Sequence, residues 1–257
     1  MLLYNSQHAH PRPVVRADVT LPDTRIPDSV VAIVNDSTGA AISGARGTWA
    51  GSQWRARSTR RVAVTWDALA WPSGVHRTTL DVRRWYAGVP ELVSVTGRVF
   101  LVNRSSSAFG AGWWVAGLER VLNPDGALRW TGGDGATRRY GSVGGNAWVA
   151  PALDRPDTIV LVGTSYYERR LPHGLKVRFD YATGLHTSTV NRLGHVTRFV
   201  YTGYRLDSIV APSGALAPGW AFTYDGSGWL RAVNATTIGL GRRRDSLVVT
   251  GSGAVRV

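Results

Sequence analysis

Apolar and polar positions alternate with a period of two through much of the chain, and glycine-bearing turns break the alternation at short intervals. In the run 196–201, Thr197, Phe199 and Tyr201 fall on one face of an extended strand, with Val196, Arg198 and Val200 on the other. Val93, Val95, Gly97, Val99 and Leu101 share a face in the same way, and the runs 61–66 and 75–86 repeat the pattern. Residues 29–34, 158–162 and 242–250 add further strand patterns, and turn formers cluster at 35–39 and 71–74. Helical spacing fits none of these segments, because glycine interrupts them too often. Residues 1–21 hold two extended pieces, 2–4 and 13–21, where Pro11 and Pro13 bar a helix. The predicted fold class is therefore all-β, with a β-sandwich-like module over residues 1–102 and a hairpin-built region over 103–257.

The back of the second region repeats itself. Gly194 and Gly214 are 20 residues apart, Leu185 and Leu206 are 21 apart, and Leu206 and Leu230 are 24 apart with an insertion around 215–219. A period near twenty residues signals a repeat architecture. Gly184, Gly194, Gly214, Gly226 and Gly228 stand where tight turns need a positive φ. Each unit reads as a β-hairpin, which is marginal alone in water, so neighbouring hairpins must cover one another in one antiparallel, winding sheet.

A second dense stretch runs from Asn103 to Tyr140. Asn103 and Arg104 lead to Phe109, Gly110, Gly112, Trp113 and Trp114, then Gly117, Leu118, Glu119 and Arg120. The turns 124–126 and 133–135 flank a strand at 128–131. Together with Tyr201, Gly214, Tyr224, Asp225 and Gly228 of the repeats, these residues resemble the Rhs/YD-repeat family. That family includes bacterial polymorphic-toxin shells, the C component of insecticidal Tc toxins and the animal teneurins. In it, an Asn-Arg…Phe-Gly-x-Gly-Trp…Gly-Leu-Glu-Arg string precedes an Asp-Gly hairpin, as at 103–126 here, and the resemblance covers residues 75–233.

The resemblance implies that the repeats form part of a spiral β-shell around an enclosed toxin polypeptide, outside the cell or at its surface. It also implies that the remainder of the shell is the chain's partner and that the chain is a fragment of a longer product or pairs with another chain. The family usually closes its shell around an Asp-Pro motif, often self-cleaving; the sequence contains no Asp-Pro.

Composition adds limits. Eleven Trp, nine Tyr and thirty Gly suit sheets and turns, and the absence of Cys excludes disulfides and thiolate metal sites. The formal charge of +13 raises a nucleic-acid reading, yet Lys176 is the only lysine and the arginines are scattered, which argues for a generic basic surface instead. The first residues lack a signal-peptide pattern, and no run is long enough for a spanning helix, so an export signal is expected outside this chain. Catalytic pairings are missing: there is no Gly-x-Ser-x-Gly elbow, no Gly-Lys-Ser/Thr loop, and His8 with His10 has no third ligand nearby. The expectation is a non-enzymatic structural segment without cofactor or metal. A second reading makes it a carbohydrate-binding or adhesin module using exposed aromatics, with surface glycans as partners and Trp49, Trp54, Trp66, Trp71 and Trp85 as a stacking platform.

Overall fold

The computed structural model describes residues 1–123, 126–151, 157–212 and 219–236, together with the strands Arg242–Ser246, Val248–Val249 and Val255–Arg256. It is all-β and antiparallel apart from one helical turn, Ser6–Ala9, and two short 3-10 turns. Contacts divide it into two units: His10–Asn103, and Met1–Ala9 with Arg104–Val257. The first nine residues, expected in the amino-terminal module, therefore belong to the second unit. The reason is a strand pair: Leu2–Tyr4 lies antiparallel to Trp113–Val115, with Leu2 opposite Val115.

The unit His10–Asn103 places a ribbon of Val14–Thr20 and Thr59–Thr65 over a four-stranded sheet of Ala41–Ala50, Ser29–Asn35, Gly74–Tyr86 and Val89–Leu101, in that order. One core lies between them, where Val19, Val62 and Val64 of the ribbon meet Val30, Ala32, Val34, Leu80 and Val82 of the sheet. Trp54 and Trp66 are buried in this core, and Trp49 and Trp71 pack against it. Burial of such side chains is worth roughly 1.5–3 kcal/mol each. These four tryptophans pack in or against the core, and Trp85, on Gly74–Tyr86, is half-buried.

The second unit is organised by a sheet of thirteen strands, from Arg120–Leu122 to Arg242–Ser246. Every strand pairs antiparallel with its neighbours in sequence. The ladder thus begins about sixty residues before the repeats that are visible in the sequence. The expected strand over 242–250 divides, since Val248–Val249 leaves the sheet and pairs with Val255–Arg256.

The sheet curls back on itself. Val121, in the first strand, donates its N–H to the carbonyl of Gly184 at 3.0 Å, and Arg120 bridges Leu185. Residues 184 and 185 lead into the eighth strand, His186–Val190. Seven strands therefore make one turn. Their inner side chains, Val121, Leu128, Tyr140, Trp148, Ile159, Tyr167, Val177 and Phe179, form one core cluster. A turn of about this many strands is just wide enough to be filled by side chains.

Candidate functional site

Two hairpins of the later strands share one local code. In the turn 225–229, the Asp225 carboxylate accepts from the N–H groups of Ser227 and Trp229, at 2.9 and 3.0 Å. In the turn 191–195, Asn191 accepts from Leu193 and His195 in the same way. Gly228 and Gly194, three residues after Asp225 and Asn191, take the left-handed conformation. The short polar side chain thus writes the turn and the glycine closes it. Gly226 does not adopt a positive φ, contrary to the expectation from sequence; in this code the second position, Arg192 in the turn 191–195, needs none. Gly214 lies outside the described residues.

On alternate turns of the ladder the pairing slips by one residue, at Phe179/His186, Tyr201/Leu206 and Tyr224/Leu230, whereas beside 191–195 it stays in register. The repeat position is consequently His186, Leu206, Leu230, all buried, and Leu185 is displaced from it by the bulge. Successive hairpins are tied at this position. Tyr201 donates its hydroxyl to the His186 carbonyl at 2.9 Å, and Tyr224 donates to the Leu206 carbonyl at 2.7 Å. Burial raises the pKa of both phenols, so they remain donors.

The lead-in residues of 104–118 pack onto these same hairpins. Phe109, Val115 and Leu118 share a core cluster with Leu206 and Leu230, against which Trp113, Tyr201 and Tyr224 also pack. Phe109 meets Trp114 and Phe222 edge-on, at 5.5 and 6.2 Å between ring centres. The N–H of Leu230 donates to the Ala108 carbonyl at 2.8 Å. Arg104 is buried, lies 4.6 Å over Trp114, and donates to the carbonyls of Gly132 and Gly133, both at 2.9 Å. Burial lowers its pKa to about 10 against the pull of Asp134, which still leaves it charged at neutral pH. Gly112 is left-handed, and a Cβ there would stand 2.8 Å from the Asn5 carbonyl oxygen. Gly110 and Gly117 are left-handed as well. Asn103 falls in the other unit, where its side-chain amide donates to the carbonyls of Leu69 and Trp71. The two groups of residues that carry the sequence resemblance thus meet, except for Asn103 and the undescribed Gly214.

Sequence reasoning missed the charged layer inside the seven-strand turn. Arg169 joins two carboxylates there, at 3.1 Å to Glu119 and 2.8 Å to Asp157, and lies 4.3 Å over the Trp130 ring. Trp130 donates its indole N–H to Glu119 at 2.6 Å, while Tyr140 donates to Asp157 at 2.8 Å. Arg138 approaches Asp157 at 3.3 Å. Burial raises the pKa of Glu119 in spite of Arg169, and it pushes the Tyr140 phenol up to about 12. Each of the four carboxylate oxygens faces a donor, so the layer is built to hold strands together and offers no unoccupied base. The available signal was scarcity, since Glu119 is one of three glutamates in an arginine-rich chain.

A groove of about 280 Å³ lies at the seam, lined by Asn123, Tyr167, Tyr181 and Gly184 among others. A shallower hollow of about 470 Å³ in the other unit is lined by Asp36, Trp71, His76 and Arg77. Among the described residues, no three His, Asp or Glu side chains are placed to hold a metal ion, and no helix is long and apolar enough to cross a membrane. The chain matches no model of a known protein family, and a search of curated proteins returns no match.

Proposed function

We propose that the chain is a non-catalytic, structural segment of a YD-type β-shell, and that it forms the filled end from which the wall grows. The observation that carries this reading is the unbroken thirteen-strand ladder, in which one turn chemistry recurs at 191–195 and 225–229 and one tyrosine–carbonyl tie at Tyr201 and Tyr224. Such a ladder has no internal stop, so more hairpins of the same kind can be added. The first seven-strand turn is occupied by its own side chains, and an enclosed polypeptide needs wider turns beyond it. In this reading the charged layer and the lead-in segment seal the narrow end, the remainder of the shell is the partner, and the assembly works outside the cell with a polypeptide inside.

Limited proteolysis of the product of the whole reading frame tests this. A polypeptide downstream of the wall should survive trypsin until guanidinium unfolds the strands, and wall and polypeptide should become sensitive together. Digestion of all downstream sequence under native conditions, or the absence of any such sequence, rejects the reading.

A further inference from the structure

Val89–Leu101 forms one edge of the four-stranded sheet and pairs with Gly74–Tyr86 over all thirteen of its residues, without a register shift. The opposite edge, Ala41–Ala50, is disrupted by a register shift against Ser29–Asn35 and by the left-handed Gly44, devices that blunt an edge. Val89–Leu101 carries no such guard. Val89, Leu92, Val93 and Val95 are 65%, 55%, 48% and 56% exposed along it. Val93 and Val95 stand opposite Val82 and Leu80, which are buried in the module's core. The apolar face of the sheet therefore continues uncovered to its rim.

The direction of the backbone groups follows from the hairpin. Tyr86 and Val89 close a two-residue turn at Ala87 and Gly88, both with positive φ, so this closing pair exchanges two hydrogen bonds. Odd-numbered residues of the strand consequently bond inward. Leu92, Ser94, Thr96 and Arg98 turn their N–H and C=O groups outward, and Pro90, which has no N–H, occupies the outward position nearest the turn.

We propose that this edge receives the same edge of a second copy of the chain, antiparallel, about a two-fold axis at Ser94. The sequence of the strand complements itself better in that register than in the two beside it. Ser94 opposes Ser94, Leu92 opposes Thr96, and Val93 opposes Val95 on the face that continues the core; Val89 opposes Val99 further out. Moving the axis to Val95 sets Leu92 against Arg98 and Glu91 against Val99, and moving it to Val93 sets Val95 against Glu91. A one-residue slip turns the apolar face over. The added strand pairs the outward groups of Leu92, Ser94 and Thr96 and covers the two half-exposed valines.

The chain has no cysteine, so Ser94→Cys introduces a single thiol. Opposed residues of a bonded antiparallel pair lie about 5.5 Å apart at Cα, within the reach of a disulfide. Mild oxidation of Ser94→Cys should give a covalent dimer, whereas Ser142→Cys, at an exposed position of the other unit, should form no disulfide cross-link. Sedimentation of the unaltered chain should show a dimer, and Val95→Lys should weaken it about a hundredfold while the circular dichroism stays unchanged. An unaltered chain that sediments as a monomer overturns the proposal and leaves the edge to another polypeptide. A dimer that survives Val95→Lys, or a Ser94→Cys protein that fails to cross-link, overturns it equally by placing the contact on another surface.

Discussion

The first seven strands of the long sheet and the six that follow are joined by similar hairpins, yet their inner faces are filled differently. The early strands close upon one another: Val121 bonds to Gly184, and the charged layer of Glu119, Asp157 and Arg169 spans the interior. The later strands stay open and are covered by the lead-in segment, with Phe109, Val115 and Leu118 supplying the core that the sheet itself does not. Hairpin chemistry therefore makes a ladder in both regions, and a handful of nonlocal contacts decides where that ladder curls shut. If so, changes at the closing contacts should cost far more than similar changes among the open strands.

The largest contrast is expected for arginines. Arg169→Met leaves Glu119 and Asp157 buried without their common cation, and loss of one partner from a buried ion pair costs about 3–5 kcal/mol. Arg231→Met removes the partner of Asp225 in an open hairpin, where half of the arginine side chain is already in water. Such an exposed pair should leave the unfolding midpoint where it is. Urea unfolding of the two variants decides the matter, and equal losses would mean that the charged layer has no special part in closure.

Glycines give the next contrast. Gly184 has φ +67, and a Cβ there would stand 1.7 Å from the Val121 carbonyl oxygen. Gly184→Ala thus incurs the left-handed penalty, about 1–2 kcal/mol, and in addition displaces the first strand, a crowding cost of about 1–3 kcal/mol. Gly194 has φ +83 and nothing within 4 Å, so Gly194→Ala bears only the first cost. The seam should open in the former alone, seen as faster hydrogen exchange at the Val121 amide. If exchange there rises equally in both variants, the seam is not what Gly184 protects.

What was legible in the sequence divides along the same line. Strand alternation at 196–201, the turn at 225–229 and the aromatic-rich lead-in are local signals, and the class they imply is the class observed. The early strands were harder to see. Leu128–Thr131 and Ala147–Val149 have only four and three residues, too few to show a period. Closure was invisible because it joins Val121 to Gly184 and Glu119 to Arg169, pairs that no local pattern couples. The affiliation of residues 1–9 was hidden for the same reason: Leu2–Tyr4 finds its partner at Trp113–Val115, more than a hundred residues away.

His186 brings the two regions together, standing where the ladder closes and at the position that leucine fills in the next two hairpins. Its ring accepts from the Glu119 N–H, is bonded to Thr189, and stacks 4.0 Å from Phe199. Burial lowers its pKa from 6.5 to about 4, against smaller contributions from backbone groups of Ser188 and Gly117. The unfolded chain takes up a proton below about pH 6.5 and the folded one resists until about pH 4, so stability is present above that window and falls as pH drops through it. The slope is about 1.4 kcal/mol per pH unit. His8, also lowered to about 4, contributes a slope of its own that the variant retains. His186→Leu should lose about 1 kcal/mol near pH 7.5, where the Glu119 N–H forfeits its acceptor. At pH 5 it should instead be the more stable protein, because about 2 kcal/mol of protonation cost has gone. Unfolding curves for variant and parent should therefore cross between these values; curves that run parallel would mean that the imidazole is as free to take a proton at the seam as in water.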